Sequence, residues 1–177
     1  EQLDRVNERD EIIGTTDKVT AHRERHLHRV AAVFIFAPDG RLYVQHHKNS
    51  GLLDNSVGGH VVKGESYDAA ASREAAEEVG LNDPLTYVTD VYTDDRSFTE
   101  GVAMHMIRLY ECTPSPEWSF VPNDEVEELE LMELEEVVDH VNERPEDFTR
   151  GFIRSLAAYI QVRHLPYKLK MPEWPPL

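Results

Sequence analysis

The chain has 177 residues, 40% of them hydrophobic, enough for one well-buried core and too few for two full catalytic domains. Its 34 acids against 18 bases give a formal charge of -16, which argues against a nucleic-acid duplex as the main partner, because duplex binding relies on Lys and Arg neutralising phosphates. The lone Cys112 cannot close an intrachain disulfide, and the longest apolar run, Val30 to Ala37, is far short of the ~20 residues of a membrane helix. The expectation is a soluble cytoplasmic protein with no membrane partner. Small phosphates bridged by a cation remain compatible with the acidity, since the cation supplies the local positive charge.

In chain order, LDRVNERDEIIG reads as two short strands turned around Asn7 to Asp10, and a short helix is expected from Thr16 to Arg23. Arg29 to Phe36 is a β-branched and aromatic run ended by Pro38-Asp39-Gly40, and RLYVQHH resumes it as a hairpin. Lys48 to Ser56 reads as a loop leading into Val57-Gly58-Gly59, where glycines allow close backbone approach to a ligand. A helix then starts at the N-cap Ser66, runs through Ala69, Ala70 and Ala71, and stops at Gly80. Leu85 to Tyr92 and Val102 to Cys112 are expected strands joined by the polar connection Thr93 to Gly101. Leu129 and Leu131 alternate as in a strand, whereas Leu134, Val137, Val138 and Val141 follow helical spacing. A last amphipathic helix is expected from about Phe148 to His164. The division is a single domain over residues 1–164 and a Pro-rich tail over 165–177.

The segment from Gly59 to Leu81, GHVVKGESYDAAASREAAEEVGL, carries the chemistry. A helix advances about 100° per residue, so Glu74, Glu77 and Glu78 project from one face. Three carboxylates together suit Mg²⁺, which prefers oxygen ligands and is held by a few carboxylates plus substrate phosphates. REAAEE alone would equally describe a solvated acidic helix. The joint spacing of Gly59, Glu65, Arg73, Glu74, Glu77, Glu78 and Gly80 is more specific, and it is identified as a Nudix box. Ala75 occupies an aliphatic position of that motif and is smaller than the usual residue there.

Strands flanked by helices in this order suggest an α/β fold, a mixed β-sheet inside an α/β/α sandwich. The Nudix resemblance, extending from roughly Leu3 to His164, implies the same. It further implies Mg²⁺ or Mn²⁺ on Glu74, Glu77 and Glu78 with help from the Gly59 carbonyl, and Glu74, then Glu78, as the base that accepts a water proton. Arg73 is expected to orient the carboxylates by bidentate pairing. Glu65 is expected to support the loop and the metal shell, and Glu125 or Glu128 to add a further acidic ligand. Lys48 is the first candidate for a phosphate contact. Tyr92, Arg96 and Phe98 are candidates for holding the organic group by stacking.

Outside the box, VNERDEIIG, HLHRVAAVFIF and LLDNSVGGHVVKGES resemble the isopentenyl-diphosphate isomerase-like branch of the Nudix superfamily. In the true isomerases a cysteine precedes the Gly-His pair; here Gly58 stands there, ahead of Gly59-His60. The isomerases' Glu on a later strand has no clear match, with Glu100 and Met104 nearby. His22, His28 and His60 resemble isomerase metal ligands and form a candidate second metal site suited to a transition metal. The complete glutamate set instead matches the hydrolases of this branch. The expected activity is metal-dependent cleavage of a diphosphate linkage in a nucleoside di- or triphosphate or related organic diphosphate, by a monomer or homodimer. Isomerisation of isopentenyl diphosphate and non-catalytic ligand binding are the alternatives.

Overall fold

The computed structural model describes residues 1–48, 50–95, 103–124 and 126–173. Its elements are β1 (Gln2–Val6), β2 (Ile12–Asp17), α1 (Lys18–Glu24), β3 (His28–Phe36), β4 (Leu42–His47), β5 (Leu53–Asp54), β6 (Val57–His60), α2 (Tyr67–Val79), β7 (Thr86–Asp95), β8 (Ala103–Cys112), β9 (Val126–Met132), α3 (Leu134–Glu143) and α4 (Arg150–Val162). A 3-10 turn at Pro145–Asp147 joins α3 to α4.

Strand β3 organises the sheet. Along one edge it pairs antiparallel with β1 at Arg5↔His28, with β6 from Val30↔His60 to Val33↔Val57, and with β4 at Ile35↔Tyr43 and Phe36↔Leu42. Its other edge runs parallel to β8, from His28↔His105 to Ile35↔Cys112. Antiparallel β7 then extends β8, and β9 extends β4. A strand embedded between neighbours and covered on both faces should read as a continuous apolar run, which is what VAAVFIF does.

The alternation of β3 separates two packed layers. Ala31, Val33 and Ile35 meet Tyr67, Ala70, Ala71, Ala75 and Val79 of α2. Ala32 and Phe34 face Val137, Val138 and Val141 of α3 and Phe152, Ile153 and Leu156 of α4. The expected α/β/α sandwich around a mixed sheet is therefore the observed fold.

Several boundaries differ for identifiable reasons. Val57 to His60, the glycine-bearing segment that the expected loop leads into, is strand β6, because β3 supplies a ladder at Ala31↔Gly59 and Ala32↔Gly58 that outweighs the poor strand propensity of glycine. The preceding loop contains the short β5, which pairs with β4 at Gln45↔Asp54 and His46↔Leu53. Helix α1 begins at Lys18 rather than Thr16, since Thr16 still pairs with Leu3 in β1 and Asp17 caps the helix by accepting from the Thr20 N–H at 3.0 Å. Helix α4 starts at Arg150, with Thr149 as its cap. Strand β7 continues past Tyr92 to Asp95, taking up the start of the expected polar connection.

Beyond α4, residues 165–173 are irregular but docked. Leu165, Tyr167 and Leu169 pack against the α3–α4 side of the core. The Asn142 amide donates to the Lys168 carbonyl at 2.9 Å and accepts from the Lys170 N–H at 2.7 Å. No helix among the described residues is long and apolar enough to cross a membrane.

Candidate active site

Local rules place α2. The Ser66 hydroxyl accepts from the Ala69 N–H at 3.2 Å, which satisfies one of the helix's orphan donors. At the other end Gly80 adopts φ +66° while Leu81 N–H returns to the Ala75 carbonyl at 2.9 Å, a glycine-dependent stop. Ala75, the small residue of the box, is 1% exposed; its size lets the helix lie close to β3. With the alanine face against the sheet, the glutamates turn toward β6.

The glycines of β6 make that approach possible. A Cβ at Gly59 would lie 2.0 Å from the Glu74 carboxyl carbon, so any side chain there would displace Glu74. Glu78 accepts from the Gln45 amide at 3.2 Å and from the Gly58 N–H at 3.3 Å. Burial raises the pKa of Glu78 to about 8, only partly opposed by the Gly58 N–H, and burial also raises that of Glu74. Glu77 projects outward, its side chain 55% exposed.

Arg73 ties these groups together. Its Nε and Nη2 donate to the two oxygens of Glu65, each at 3.0 Å, and Nη1 donates to Glu74 at 2.7 Å and Glu77 at 3.2 Å. Nη2 also reaches the His60 carbonyl at 3.1 Å. Glu65, expected near the metal shell, thus spends both oxygens on Arg73, and one of them also accepts from Val62 N–H at 3.1 Å. Arg73 holds the Glu65 carboxyl below its usual pKa. The oxygen-rich cluster of Glu74, Glu77 and Glu78 beside the Gly59 backbone fits a hard divalent cation, because two of its carboxyls are half-buried with raised pKa values, a penalty that a cation relieves.

A cavity of about 380 Å³ opens beside this cluster. Glu78, Gly58 and Gly59 form one side, Gln45, Lys48, Asp54, Asn55 and Asp124 another, and Lys18, His22, His60 and His105 a third. Lys48, the expected phosphate contact, lines it and donates to the Asp124 carbonyl at 2.9 Å. Tyr92 does not line it: it is 42% exposed on β7. Glu128 is also exposed on β9 and away from the cavity, where Asp124 stands instead. Tyr92 alternates with the buried Val91 and Thr93, which turns it outward, and Glu128 sits where the β4–β9 ladder shifts register between Gln45 and His47. Arg96, Phe98, Glu100 and Glu125 lie outside the described residues.

The three expected histidines do converge, and a fourth joins them. The candidate ligand atoms of His22, His28, His60 and His105 all lie within 4.8 Å of one another. Pairing explains the addition: His105 of β8 sits directly beside His28 of β3. In the sequence, AMHMIRLY marks His105 as a polar residue in an apolar strand, but only the parallel partner strand tells what it meets. Met104, its neighbour, pairs with Asp94. Gln45 and Asn55 were likewise visible only as polar interruptions near strand ends.

Fold and site together place a glutamate-bearing helix beside a cavity at the end of the sheet. The NUDIX domain model matches residues 26–154, and the chain belongs to the Nudix family. An isopentenyl-diphosphate Delta-isomerase of Serratia proteamaculans is 30% identical over 165 residues, covering 86% of this chain and 88% of that protein. An uncharacterised Nudix hydrolase of Streptomyces coelicolor is 35% identical over 117 residues, 62% of this chain and 65% of its own length. Among solved structures, a Deinococcus radiodurans protein superposes with a TM-score of 0.64 at 24% identity, covering 94% of this chain and all 100% of that one. The dihydroneopterin triphosphate pyrophosphohydrolase of E. coli superposes at 0.55 with 17% identity over 77% of this chain and 95% of that one. These likenesses extend to the fold.

Proposed function

We propose that the chain is a metal-dependent hydrolase that cleaves a diphosphate linkage in a nucleoside di- or triphosphate or a related organic diphosphate. The observation that carries this reading is the juxtaposition of Glu74 and Glu78 with the side-chain-free Gly58-Gly59 segment at the cavity wall. The three box glutamates and the Gly59 carbonyl would hold Mg²⁺ or Mn²⁺. Such a cation, when bound, neutralises phosphate charge and acidifies water. The chain's own part is to position and to accept a proton. A water in line with the leaving group forms the new oxygen–phosphorus bond, the anhydride oxygen–phosphorus bond breaks, and the water's proton passes to Glu74, with Glu78 the second candidate. Arg73 fixes the carboxylates, and Lys48 stands at the wall where phosphate oxygens would lie.

The isomerase reading draws on the name of the Serratia relative and on the histidines. Against it stands the placement of the thiol. The chain's one cysteine, Cys112, is buried in the α2-side core at the end of β8 and does not line the cavity; at the position before Gly59-His60 there is Gly58.

The test is a panel of nucleotide and other organic diphosphates, assayed with Mg²⁺ and Mn²⁺ and read by mass spectrometry. Glu77→Gln and Glu78→Gln should each lower kcat by roughly 100-fold or more, comparable to removing a group that stabilises transition-state charge. Near-normal turnover in both variants would sink the proposal. Proton NMR of isopentenyl diphosphate decides the alternative, since isomerisation moves a double bond and releases no phosphate.

A further inference from the structure

Two carboxamides on one wall of the cavity share an arrangement that the hydrolysis chemistry leaves unused. Gln45 of β4 pairs with Asp54 of β5, and Asn55 follows directly, so the two side chains come from neighbouring segments of the sheet. Both residues line the cavity, and they are only 7% and 6% exposed. Each has its amino end tied to an acid. Gln45 Nε2 donates to Glu78 at 3.2 Å, and Asn55 Nδ2 donates to Asp54 Oδ1 at 2.9 Å. Asp54 Oδ1 is itself held by the Asn55 N–H at 2.7 Å and by the Thr149 hydroxyl at 2.8 Å.

A carboxylate only accepts, so it decides which way each amide faces: the nitrogen turns to the acid and the carbonyl oxygen turns away from it. A cation at the box keeps Glu78 in that ionised form. Two acceptors are thereby fixed. Asn55 Oδ1 is buried without a hydrogen-bond partner, and Gln45 Oε1 meets no donor among the described residues. A buried carbonyl left unpaired is destabilising, and two on one cavity wall call for a ligand that supplies donors. The rest of the lining agrees. Val30 and Ile107 are the only aliphatic side chains that the described residues contribute to it, whereas sites for apolar ligands are lined mainly by hydrophobic groups.

We propose that Gln45 and Asn55 are specificity-determining residues of this cavity, selecting organic diphosphates whose organic group carries O–H or N–H donors over alkyl and alkenyl diphosphates. Asp54 and Thr149 are positioning residues that act through the Asn55 amide. Selection of this kind rests on the box anchoring the phosphates, the reading given above, and it defines the group that lies beyond them. Because Gln45 is bonded to Glu78, the acceptors stand next to the box and face the group joined directly to the diphosphate. A sugar there offers hydroxyls, and a nucleobase amine is the other source of donors. An alkenyl chain offers none and leaves both carbonyls unpaired. That asymmetry is what lets a hydrogen-bonding site reject an analogue that lacks the donor.

The experiment measures binding rather than turnover, by calorimetry on the full chain with Mg²⁺ and methylene-bridged diphosphates that resist cleavage. The probes are the adenosine analogue, its 2′,3′-dideoxy form, its form without the base amine, and the isopentenyl analogue. The wild type should bind the adenosine analogue about 100-fold or more tighter than the isopentenyl one. Removing either the ribose hydroxyls or the base amine should cost about 10-fold, which names the source of the donors; indifference to both removals overturns the proposal. Gln45→Met, unbranched and close in volume, and Asn55→Leu should each weaken the adenosine analogue about 10-fold and leave the isopentenyl analogue unchanged or tighter. Metal affinity enters both ligands alike, so a merely structural role would not move their ratio. Equal weakening of both ligands overturns the proposal, and Gln45→Met alone decides should Asn55→Leu fail to fold. Selective binding without cleavage of any natural diphosphate would leave this wall standing and refute the hydrolysis proposed above, whereas unselective binding with efficient cleavage would do the reverse.

Discussion

At the scale of single residues, Arg73 does the most to shape the site, because one guanidinium organises Glu65, Glu74, Glu77 and the His60 carbonyl. A lysine retains the charge but not the planar fork. Arg73→Lys should therefore lower kcat and weaken Mg²⁺ activation by about 10–100-fold, the range for groups that orient ligands without touching the reaction. Circular dichroism should remain that of the wild type, so a melted fold would refute the positioning role. Glu78 gives a prediction with a definite sign. Its pKa of about 8 in the folded state exceeds the usual 4.5, so between those values the native protein keeps a proton that the unfolded chain has released. That contribution to stability is fully present below the unfolded pKa and is lost as pH rises toward 8. Stripped of divalent cations, the wild type should lose Tm relative to Glu78→Gln between about pH 5 and pH 8. Saturating Mg²⁺ should raise the wild-type Tm more at the upper end of that range, since ligation requires the carboxylate. A gap that is flat with pH would show that Glu78 titrates normally.

At the scale of elements, the box helix was readable because its signals are local. Ser66, the alanines and Gly80 specify start, body and stop without any tertiary partner, and the carboxylate face follows from helical geometry. Ser66→Ala should cost about 1 kcal/mol of stability, as loss of an N-cap does, with urea unfolding as the measurement and kcat little changed at saturating Mg²⁺. No change in the urea midpoint would mean that sheet packing alone defines the helix start. What local signals could not reveal were the features made by pairing. Gly58 and Gly59 carry no strand signal of their own until β3 offers them a ladder. His105 is an unremarked residue of a strand until parallel β3 sets His28 beside it. Tyr92 and Glu128, chosen for chemical type, are exposed: alternation with buried Val91 and Thr93 turns Tyr92 outward, and Glu128 lies at a register shift of the β4–β9 ladder, features set by pairing, where one residue's shift reverses a face.

At the scale of the whole molecule, β3 divides the work between two layers. The α2 side carries the box, whereas the α3–α4 side carries the larger hydrophobic body with Phe34 and Phe152 at its centre. The cavity lies at the end of the sheet where β6 runs out of side chains, so it draws residues from both layers. The tail packs on the α3–α4 layer through Leu165, Tyr167 and Leu169, and none of its described residues, 165–173, lines the cavity. Stability and chemistry should therefore separate when it is removed. Burial of three such side chains stabilises by several kcal/mol when complete, at about 1.5–3 kcal/mol each. These are only partly buried, and ordering the tail backbone offsets much of the gain. Deleting residues 165–177 should accordingly destabilise by about 1–2 kcal/mol, a fall in Tm of roughly 2–8 °C for a chain of this size. Because α3 and Asn142 stand across the core from the box, kcat and the Mg²⁺ requirement should stay within about twofold of the wild type, as expected of sites that share no contacts. Scanning calorimetry and the hydrolysis assay read the two quantities independently. A loss of kcat without a loss of Tm would place the tail in the catalytic cycle and contradict the division of labour that β3 imposes.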